Sequence, residues 1–275
     1  MKQKKWPTFM LLLAFFIGLS IMLYPALSDY WNSKTQSMAI VDYQSMLDAL
    51  NNADYTAIFN KAEEYNKKLS SLDYPLTEYN QVDGYFDVLN LNSVGMMGYV
   101  TIKKIGIELP LYHGTSDGVL SVAIGHLQGT SLPIGGTGTH AVVSAHRGLP
   151  SAKLFTDLDK LSVGDTFTVT ILDRTLTYQV DQIRIVMPDD ASLLQIDSGG
   201  DYCTLLTCTP YGVNTERLLV RGRRIETIEH KVIYVKTDGY VIDVLVVAPI
   251  VALPILFVLM MIVLFKPVKK DDREG

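Results

Sequence analysis

The sequence predicts a mainly β domain, a barrel or a sandwich, that follows a helical segment and lies between two membrane-spanning helices. Two charge-free apolar runs lie near the ends of the 275-residue chain. Between them, helical periodicity occupies the first part and short β-type runs occupy the rest. The chain is 48% hydrophobic and carries a net charge of −5, so no nucleic-acid partner is predicted.

The first apolar run covers residues 6–27 and follows Lys2, Lys4 and Lys5. As a helix it spans roughly 33 Å at ~1.5 Å per residue, which is enough to cross a bilayer. A cleaved signal peptide is the alternative, because Ala26 and Ser28 could form a small-residue cleavage site. The run exceeds the ~7–15 apolar residues of a signal core, so residues 1–27 are interpreted as an uncleaved membrane anchor.

The second apolar run covers residues 244–265 and precedes three lysines, Lys266, Lys269 and Lys270. It predicts a transmembrane helix over 241–265, after a linker at 229–240 and before a tail at 266–275. Lysines flank the outer end of each run. The positive-inside rule therefore predicts a cell-membrane protein that contacts lipid, with both termini cytoplasmic and the central domain extracellular.

Residues 28–97 form the predicted helical segment. Apolar residues recur at helical spacing on both sides of Asn51 and Asn52, which predicts two helices. The first group is Ile40, Tyr43, Met46, Leu47 and Leu50, and the second is Ala57, Ile58, Ala62, Tyr65 and Leu69. Pro75 and Gly84 then interrupt the pattern, so residues 73–84 are predicted to be a loop.

Short β-type runs dominate from residue 99 onward. They read "YVTIKKIGIELPLY", "HAVVSAH", "DTFTVTIL", "LTYQVDQIRIVM", "YCTLLTCTP" and "ERLLVRGRR". One helix is predicted among them, over residues 151–161, with Ser151 as its cap. Many short strands at this spacing favour a barrel or sandwich over a parallel α/β sheet.

The two cysteines, Cys203 and Cys208, are five residues apart in one predicted strand. A regular strand places them on opposite faces and roughly 16 Å apart, whereas a disulfide needs Cα atoms within about 7 Å. An intermolecular bridge stays open. The C-x4-C spacing is poor for zinc, so no metal and no cofactor are predicted. Cys203 is interpreted as an inert buried thiol, and Cys208, at the strand end before Pro210, as a reachable one.

A nucleophilic thiol needs a base or cation beside it. His146 closes "HAVVSAH" before a Gly-Pro loop, a position typical of functional residues, and is favoured over the alternatives His126 and His140. Arg217 follows Cys208 by nine residues, on the next predicted strand. Its alternative interpretation is an ordinary strand arginine in a salt bridge.

Three blocks of this sequence resemble one family. "GHLQGTSLPIGG", "THAVVSAHRGLPSAKLFTDLDKL" and "TLLTCTPYGVNTERLLVRGRR", in this order, resemble the class C, pilus-assembling sortases of Gram-positive bacteria. The resemblance runs from about residue 98 to 225, and the catalytic domain is assigned to 98–228. It implies an eight-stranded sortase β-barrel with short helices, and two flanking transmembrane helices also resemble class C.

The resemblance implies a cysteine transpeptidase with three catalytic residues. Cys208 would be the nucleophile, His146 the acid and base, and Arg217 the residue that stabilises the oxyanion or binds the substrate. The implied substrate is an LPxTG-like sorting signal cut between Thr and Gly, and the implied acceptor is a lysine of another pilin subunit. Two alternatives are anchoring of surface proteins to peptidoglycan and a catalytically silent membrane scaffold for pilus assembly.

Class C sortases usually carry a lid with an Asp-Pro-aromatic sequence before the barrel. This chain has Asp73, Tyr74 and Pro75, the same residue types in another order, within the loop 73–84. The resemblance implies that Asp73 pairs with Arg217 and that Tyr74 covers Cys208. A plain connecting loop is the alternative interpretation.

Overall fold

A computed structural model of the chain describes residues 6–91 and 94–227, together with residues 256 and 258. Residues 29–230 form one compact unit, and residues 1–28 belong with 231–275 to another.

The first helix, α1 (Trp6–Leu47), contains the N-terminal apolar run. Within the described ranges it is the one helix whose length and composition suffice to cross a membrane, which agrees with the predicted anchor. The predicted second span, 241–265, lies outside the described residues except for Leu256 and Val258. The linker at 229–240 and the tail at 266–275 also lie outside them.

The two predicted helices are present: α1 ends at Leu47 and α2 is Asn52–Ser70. Both are fixed to the β domain by buried polar groups. The hydroxyl of Tyr43 donates to the carbonyl of Met97 at 2.7 Å and accepts from the backbone N–H of Leu172 at 2.9 Å. The amide of Asn66 bonds both backbone groups of Leu132. These bonds satisfy polar groups that would otherwise be costly to bury.

The β domain is a closed eight-stranded barrel, which confirms the implied fold. The order around the barrel is β1-β2-β3-β4-β7-β8-β6-β5, with β2–β3 and β4–β7 parallel and the other pairs antiparallel. The strands are β1 (Met96–Ile102), β2 (Ile107–His113), β3 (Ile124–His126), β4 (Thr139–Ser144), β5 (Thr166–Ile171), β6 (Arg174–Val186), β7 (Asp201–Thr209) and β8 (Glu216–Ile225).

Side chains alternate between the barrel interior and its outer face, as a period of two requires. In β7, Cys203, Leu205 and Thr207 are buried, whereas Leu206 and Cys208 are partly exposed. The interior is apolar and fully enclosed, with Val100, Ile102, Leu111, Val143, Phe167, Val169 and Val220 among its residues.

The elements outside the strands are short. They include α3 (Pro75–Glu78) and α4 (Asp117–Leu120), and the 3-10 turns Tyr79–Gln81, Lys103–Ile105, Leu158–Lys160 and Ser192–Leu194. Gly106, at φ 63°, turns the long run 99–112 back on itself, so that this run becomes the end of β1 and most of β2.

The helix predicted over 151–161 is wrong, because only the 3-10 turn Leu158–Lys160 forms there. Two backbone features prevent a helix. The N–H of Lys153 donates to Oδ1 of Asp29 on α1 rather than within its own segment. Leu154 adopts φ 38°, which lies outside the right-handed helical region. The apolar side chains of Leu154, Phe155 and Leu158 are therefore buried by a loop and not by a helix.

Candidate active site

Cys208 and Arg217 lie directly opposite each other on neighbouring strands. Cys208 is the next-to-last residue of β7, Arg217 is the second residue of β8, and the antiparallel register pairs them. Both side chains are partly exposed. Directly opposed residues have Cβ atoms roughly 4.5–5.5 Å apart, so a guanidinium can act beside the thiol.

His146 reaches the same edge of the barrel through β4, which runs parallel to β7. The last register pair is Ser144 with Leu206, and the N–H of Ala145 donates to the carbonyl of Leu206 at 3.2 Å. Two more residues in this register, past the end of β4, would place His146 next to Cys208. Neighbouring strands are about 4.8 Å apart, so the two side chains are within reach of each other.

The residues on either side of His146 are tied to the residues on either side of Cys208. The hydroxyl of Thr207 donates to the carbonyl of Ala145 at 2.8 Å. Nη1 of Arg147 donates to the hydroxyl of Thr209 at 3.1 Å. This double connection fixes how the histidine and the cysteine lie along the two strand ends.

The side chain of Arg147, the residue after His146, is only 7% exposed. Besides Thr209, it contacts the carboxylate of Asp159 through Nη2. A buried guanidinium needs such a counter-charge. In this structure Arg147 therefore joins the histidine loop to β7 instead of facing the substrate.

The two alternative histidines, His126 and His140, are buried and hydrogen-bonded in the interior. Nε2 of His126 donates to the carbonyl of Ser131, and its Nδ1 accepts from the hydroxyl of Tyr85. Burial lowers the pKa of His126 to about 4. Burial also lowers the pKa of His140, whose ring bonds the carbonyl of Gln195 and the hydroxyl of Thr204.

His113 is also buried, and both of its ring nitrogens face backbone carbonyls, those of Gly95 and Val88. Of the four histidines in the described part of the chain, His146 alone is partly exposed. Exposure and register therefore both favour His146 as the proton-transfer partner of Cys208.

The two thiols occupy different environments. Neither cysteine forms a disulfide. Cys203 is fully buried, and desolvation raises the pKa of its thiol far above the ordinary range, which makes it a poor nucleophile. Cys208 is partly exposed on the outer face of the same strand, where a substrate carbonyl can reach it.

The hydrogen bonds that the structure shows for Arg217 use Nη1, which donates to the carbonyls of Asn214 and Glu216. Its Nε and Nη2 groups are therefore the donors that could bind a substrate oxygen. Arg217 lines a cleft of about 540 Å³ on the outer face of the barrel, together with Leu206 and Leu219. Within the described ranges, no cluster of three or more His, Cys, Asp or Glu is arranged to hold a metal ion.

The floor of this cleft belongs to a small apolar group that we call the outer cluster. Val142, Leu194 and Leu219 form its buried part, and Leu76, Leu127 and Leu206 are among the side chains packed against it. Leu76 belongs to the predicted lid loop. The segment also approaches the barrel closely at Gly129, where a Cβ would meet the Cα of Leu76 at 2.9 Å.

The lid contacts expected of Asp73 and Tyr74 are not formed. Asp73 is exposed and borders a separate cavity near Gln195, and no ion pair links it to Arg217. The Tyr74 side chain is 69% exposed. Pro75 begins α3 and is buried, and Tyr74 is the residue before the helix. Leu76 is partly buried and packs against the outer cluster.

Comparison with known proteins agrees with the fold. The family model "Sortase domain" matches residues 100–225. The crystal structure of sortase C1 from Streptococcus agalactiae is 55% identical, with a TM-score of 0.66, and the match covers 70% of this chain and 100% of that one. Sortase C-1 from Streptococcus pneumoniae is 44% identical, with a TM-score of 0.62 and coverage of 70% and 100%.

A more distant relative is sortase D of Bacillus subtilis, which is 28% identical over 131 residues. That match covers 46% of this chain and 63% of the Bacillus protein. The S. agalactiae and S. pneumoniae structures are matched over their whole length at well above 30% identity. The chain therefore belongs to the sortase family and, within it, to class C.

Proposed function

We propose that this chain is a membrane-anchored cysteine transpeptidase that cleaves an LPxTG-like sorting signal and joins it to a lysine of another pilin subunit. The observation that carries the proposal is the register pairing of Cys208 with Arg217, beside a histidine held at the same edge by β4. The parallel pairing of β4 with β7 supports adding His146, which is distant in sequence from the other two residues, to the same edge of the barrel.

Cys208 is the proposed nucleophile. Its thiolate attacks the carbonyl carbon between Thr and Gly of the sorting signal, and a tetrahedral oxyanion forms. Arg217 donates from Nε or Nη2 to that oxygen as its charge develops, because the guanidinium stays protonated at any working pH. The C–N bond then breaks.

His146 transfers the proton. It protonates the departing glycine amine, which leaves a thioester between Cys208 and the threonine carbonyl. The amine of a pilin lysine then attacks that thioester and loses a proton to His146. The Cys208 thiolate departs, and an amide bond between the two subunits remains.

The decisive experiment compares the two cysteines. Cys208→Ala should abolish cleavage of an LPxTG-like peptide and pilin polymerisation, whereas Cys203→Ala, the matched control on the same strand, should keep most activity. Because Cys203 faces the barrel interior, the melting temperature of the Cys203→Ala variant is compared with that of wild type. An active Cys208 variant together with a folded but dead Cys203 variant would contradict the assignment.

The same assay separates the alternative functions. Transfer to a pilin lysine indicates pilus assembly, whereas transfer only to a peptidoglycan amine indicates anchoring of surface proteins. A wild-type protein that neither cleaves the peptide nor shows a reactive Cys208 would instead be a silent scaffold.

The proposed topology places both termini in the cytoplasm and the central domain, residues 28–240, outside. The lysines beyond each apolar run support it. A reporter fused after Gly275 should be active only in the cytoplasm, and protease added to intact protoplasts should digest the central domain. Extracellular activity of that reporter would contradict this topology and the proposed transmembrane helix at 241–265.

The segment 73–84 is proposed to be a lid over the cleft. The packing of Leu76 on the outer cluster and the close approach at Gly129 support this role. Leu76 then occupies space that an apolar residue of the sorting signal needs, so the lid and the substrate compete for one surface.

A further inference from the structure

His146 lies on an irregular loop rather than on a strand. β4 ends at Ser144, and the next regular turn begins only at Leu158. The loop closes on itself where the N–H of Phe155 donates to the carbonyl of His146 at 3.1 Å. The backbone of His146 therefore depends on the conformation of the whole loop.

This loop contains a residue in an unfavourable conformation. Leu154 adopts φ 38°, and a leucine in the left-handed region is strained by its Cβ. Its side chain is buried, so the conformation is imposed by the surroundings. Without outside support, the loop would relax toward a right-handed conformation and move the N–H of Phe155 away from His146.

The outside support comes from α1. The carboxylate Oδ1 of Asp29 accepts from the N–H of Lys153 at 2.7 Å, and Nδ2 of Asn32 donates to the carbonyl of Ser151 at 2.7 Å. Asp29 and Asn32 are three residues apart, so they lie on the same face of the helix. The two bonds hold the loop immediately before Leu154, and one of them is strengthened by charge.

These two residues also have a particular place in the sequence. Asp29 comes two residues after the apolar run 6–27, which is the proposed membrane anchor. On its other side, the histidine loop is held by β7, through Thr207 and through the Arg147–Thr209 bond. The loop that carries His146 is thus held on one side by β7, which carries Cys208, and on the other side by the part of α1 that follows the apolar run.

We propose that Asp29 and Asn32 are positioning residues that orient His146 for proton transfer, so that the part of α1 after the apolar run supports the catalytic geometry. This inference rests on the proposed role of His146. Neither residue touches the substrate. They hold the backbone of Ser151 and Lys153, which keeps Leu154 and Phe155 in the arrangement that closes the loop at His146.

The test uses the full-length protein in detergent micelles and an LPxTG-like peptide with an amine acceptor. Asp29→Ala together with Asn32→Ala should lower kcat about tenfold and leave KM within about twofold, because small misplacements of a catalytic group cost rate rather than binding. The histidine-dependent limb of the pH–rate profile should shift. Asp29→Asn keeps an acceptor oxygen and should recover most of the loss caused by Asp29→Ala.

Ser33→Ala is the matched control, since Ser33 is an exposed neighbour on the same helix. Melting temperatures and hydrogen exchange at the amide of Lys153 are measured for every variant. If the double variant does not fold, the two single alanine variants decide. Two results in folded variants would overturn the inference. One is an unchanged kcat and pH profile although the Lys153 amide exchanges faster than in wild type. The other is an activity loss that appears only in KM.

Failure of the proposed function looks different. If wild type itself does not cleave the peptide while its Lys153 amide is protected, the transpeptidase assignment fails, and the positioning role fails with it. If wild type cleaves and the Cys208→Ala variant does not, the function stands, and only the alanine variants on α1 decide whether they orient His146.

Discussion

Leu76 provides a direct test of the proposed lid, because it packs against the outer cluster, whereas the sequence predicts that Tyr74 covers the site. Leu76 is partly buried against the outer cluster, whereas Tyr74 is mostly exposed. Burying a whole leucine side chain contributes about 1.5–3 kcal/mol, so Leu76→Ala should weaken the closed lid by roughly 1 kcal/mol. That changes the ratio of closed to open forms about fivefold.

The measurement is the Kd of an LPxTG-like peptide for the Cys208→Ala protein, which binds without turnover. Because the lid and the peptide compete, Leu76→Ala should tighten binding about fivefold. Tyr74→Ala is the matched control and should change Kd by less than about twofold. Gly129→Ala tests the same contact from the barrel side, since its new Cβ would meet the backbone of Leu76.

The reasoning would be refuted by either of two results in folded proteins. One is an unchanged Kd in both Leu76→Ala and Gly129→Ala, which would mean that residues 73–84 are a plain connecting loop. The other is a larger effect of Tyr74→Ala than of Leu76→Ala, which would restore the aromatic residue as the lid contact.

Two further predictions concern groups that hold the site in place. Thr209→Val removes the hydroxyl that binds Arg147 and should lower kcat about tenfold, since a hydrogen bond to a charged group contributes about 1.5–3 kcal/mol. The double variant Thr209→Val with Arg147→Ala should then lose less activity than the sum of the two single losses. Strict additivity would argue against a role of the Arg147–Thr209 bond in holding the site. His126 has a pKa of about 4 in the folded state, below the ~6.5 of an exposed histidine, so its contribution to stability is present above pH 6.5 and is lost as the pH falls toward 4. Between pH 7 and pH 5 the free energy of unfolding should drop by about 2 kcal/mol more in wild type than in the His126→Gln variant. Denaturant titration at the two pH values measures both drops. Equal drops would show that burial does not hold His126 neutral.

Much of the fold could be predicted because its periodicities are local. The two helices follow from apolar spacing around Asn51, and most strands follow from β-branched runs between turns. Closure into a barrel is not local. It depends on the pairing of β1 with both β2 and β5, which only the resemblance implied.

The loop 151–161 was predicted as a helix with Ser151 as its cap. The hydrogen bonds that prevent this helix come from residues distant in sequence, above all from Asp29. No local sequence pattern predicts them. The same applies to Thr207 and Thr209, which read as ordinary strand formers although each holds a residue beside His146. Long-range side-chain to backbone bonds leave no periodic trace.

The parallel pairing of β4 with β7 explains why the sequence alone could not choose firmly among the histidines. β4 carries His140 near its start and leads to His146 just past its end, and β7 carries Cys208 at its end. In a parallel pair the two ends lie at the same edge, so the end of β4 leads His146 toward the end of β7, while His140 lies beside Tyr202. An antiparallel pair would reverse this and place the start of β4 beside the cysteine. Strand direction, rather than any property of the imidazoles, decides which histidine can serve the thiol, and the antiparallel β8 then brings Arg217 to the same edge.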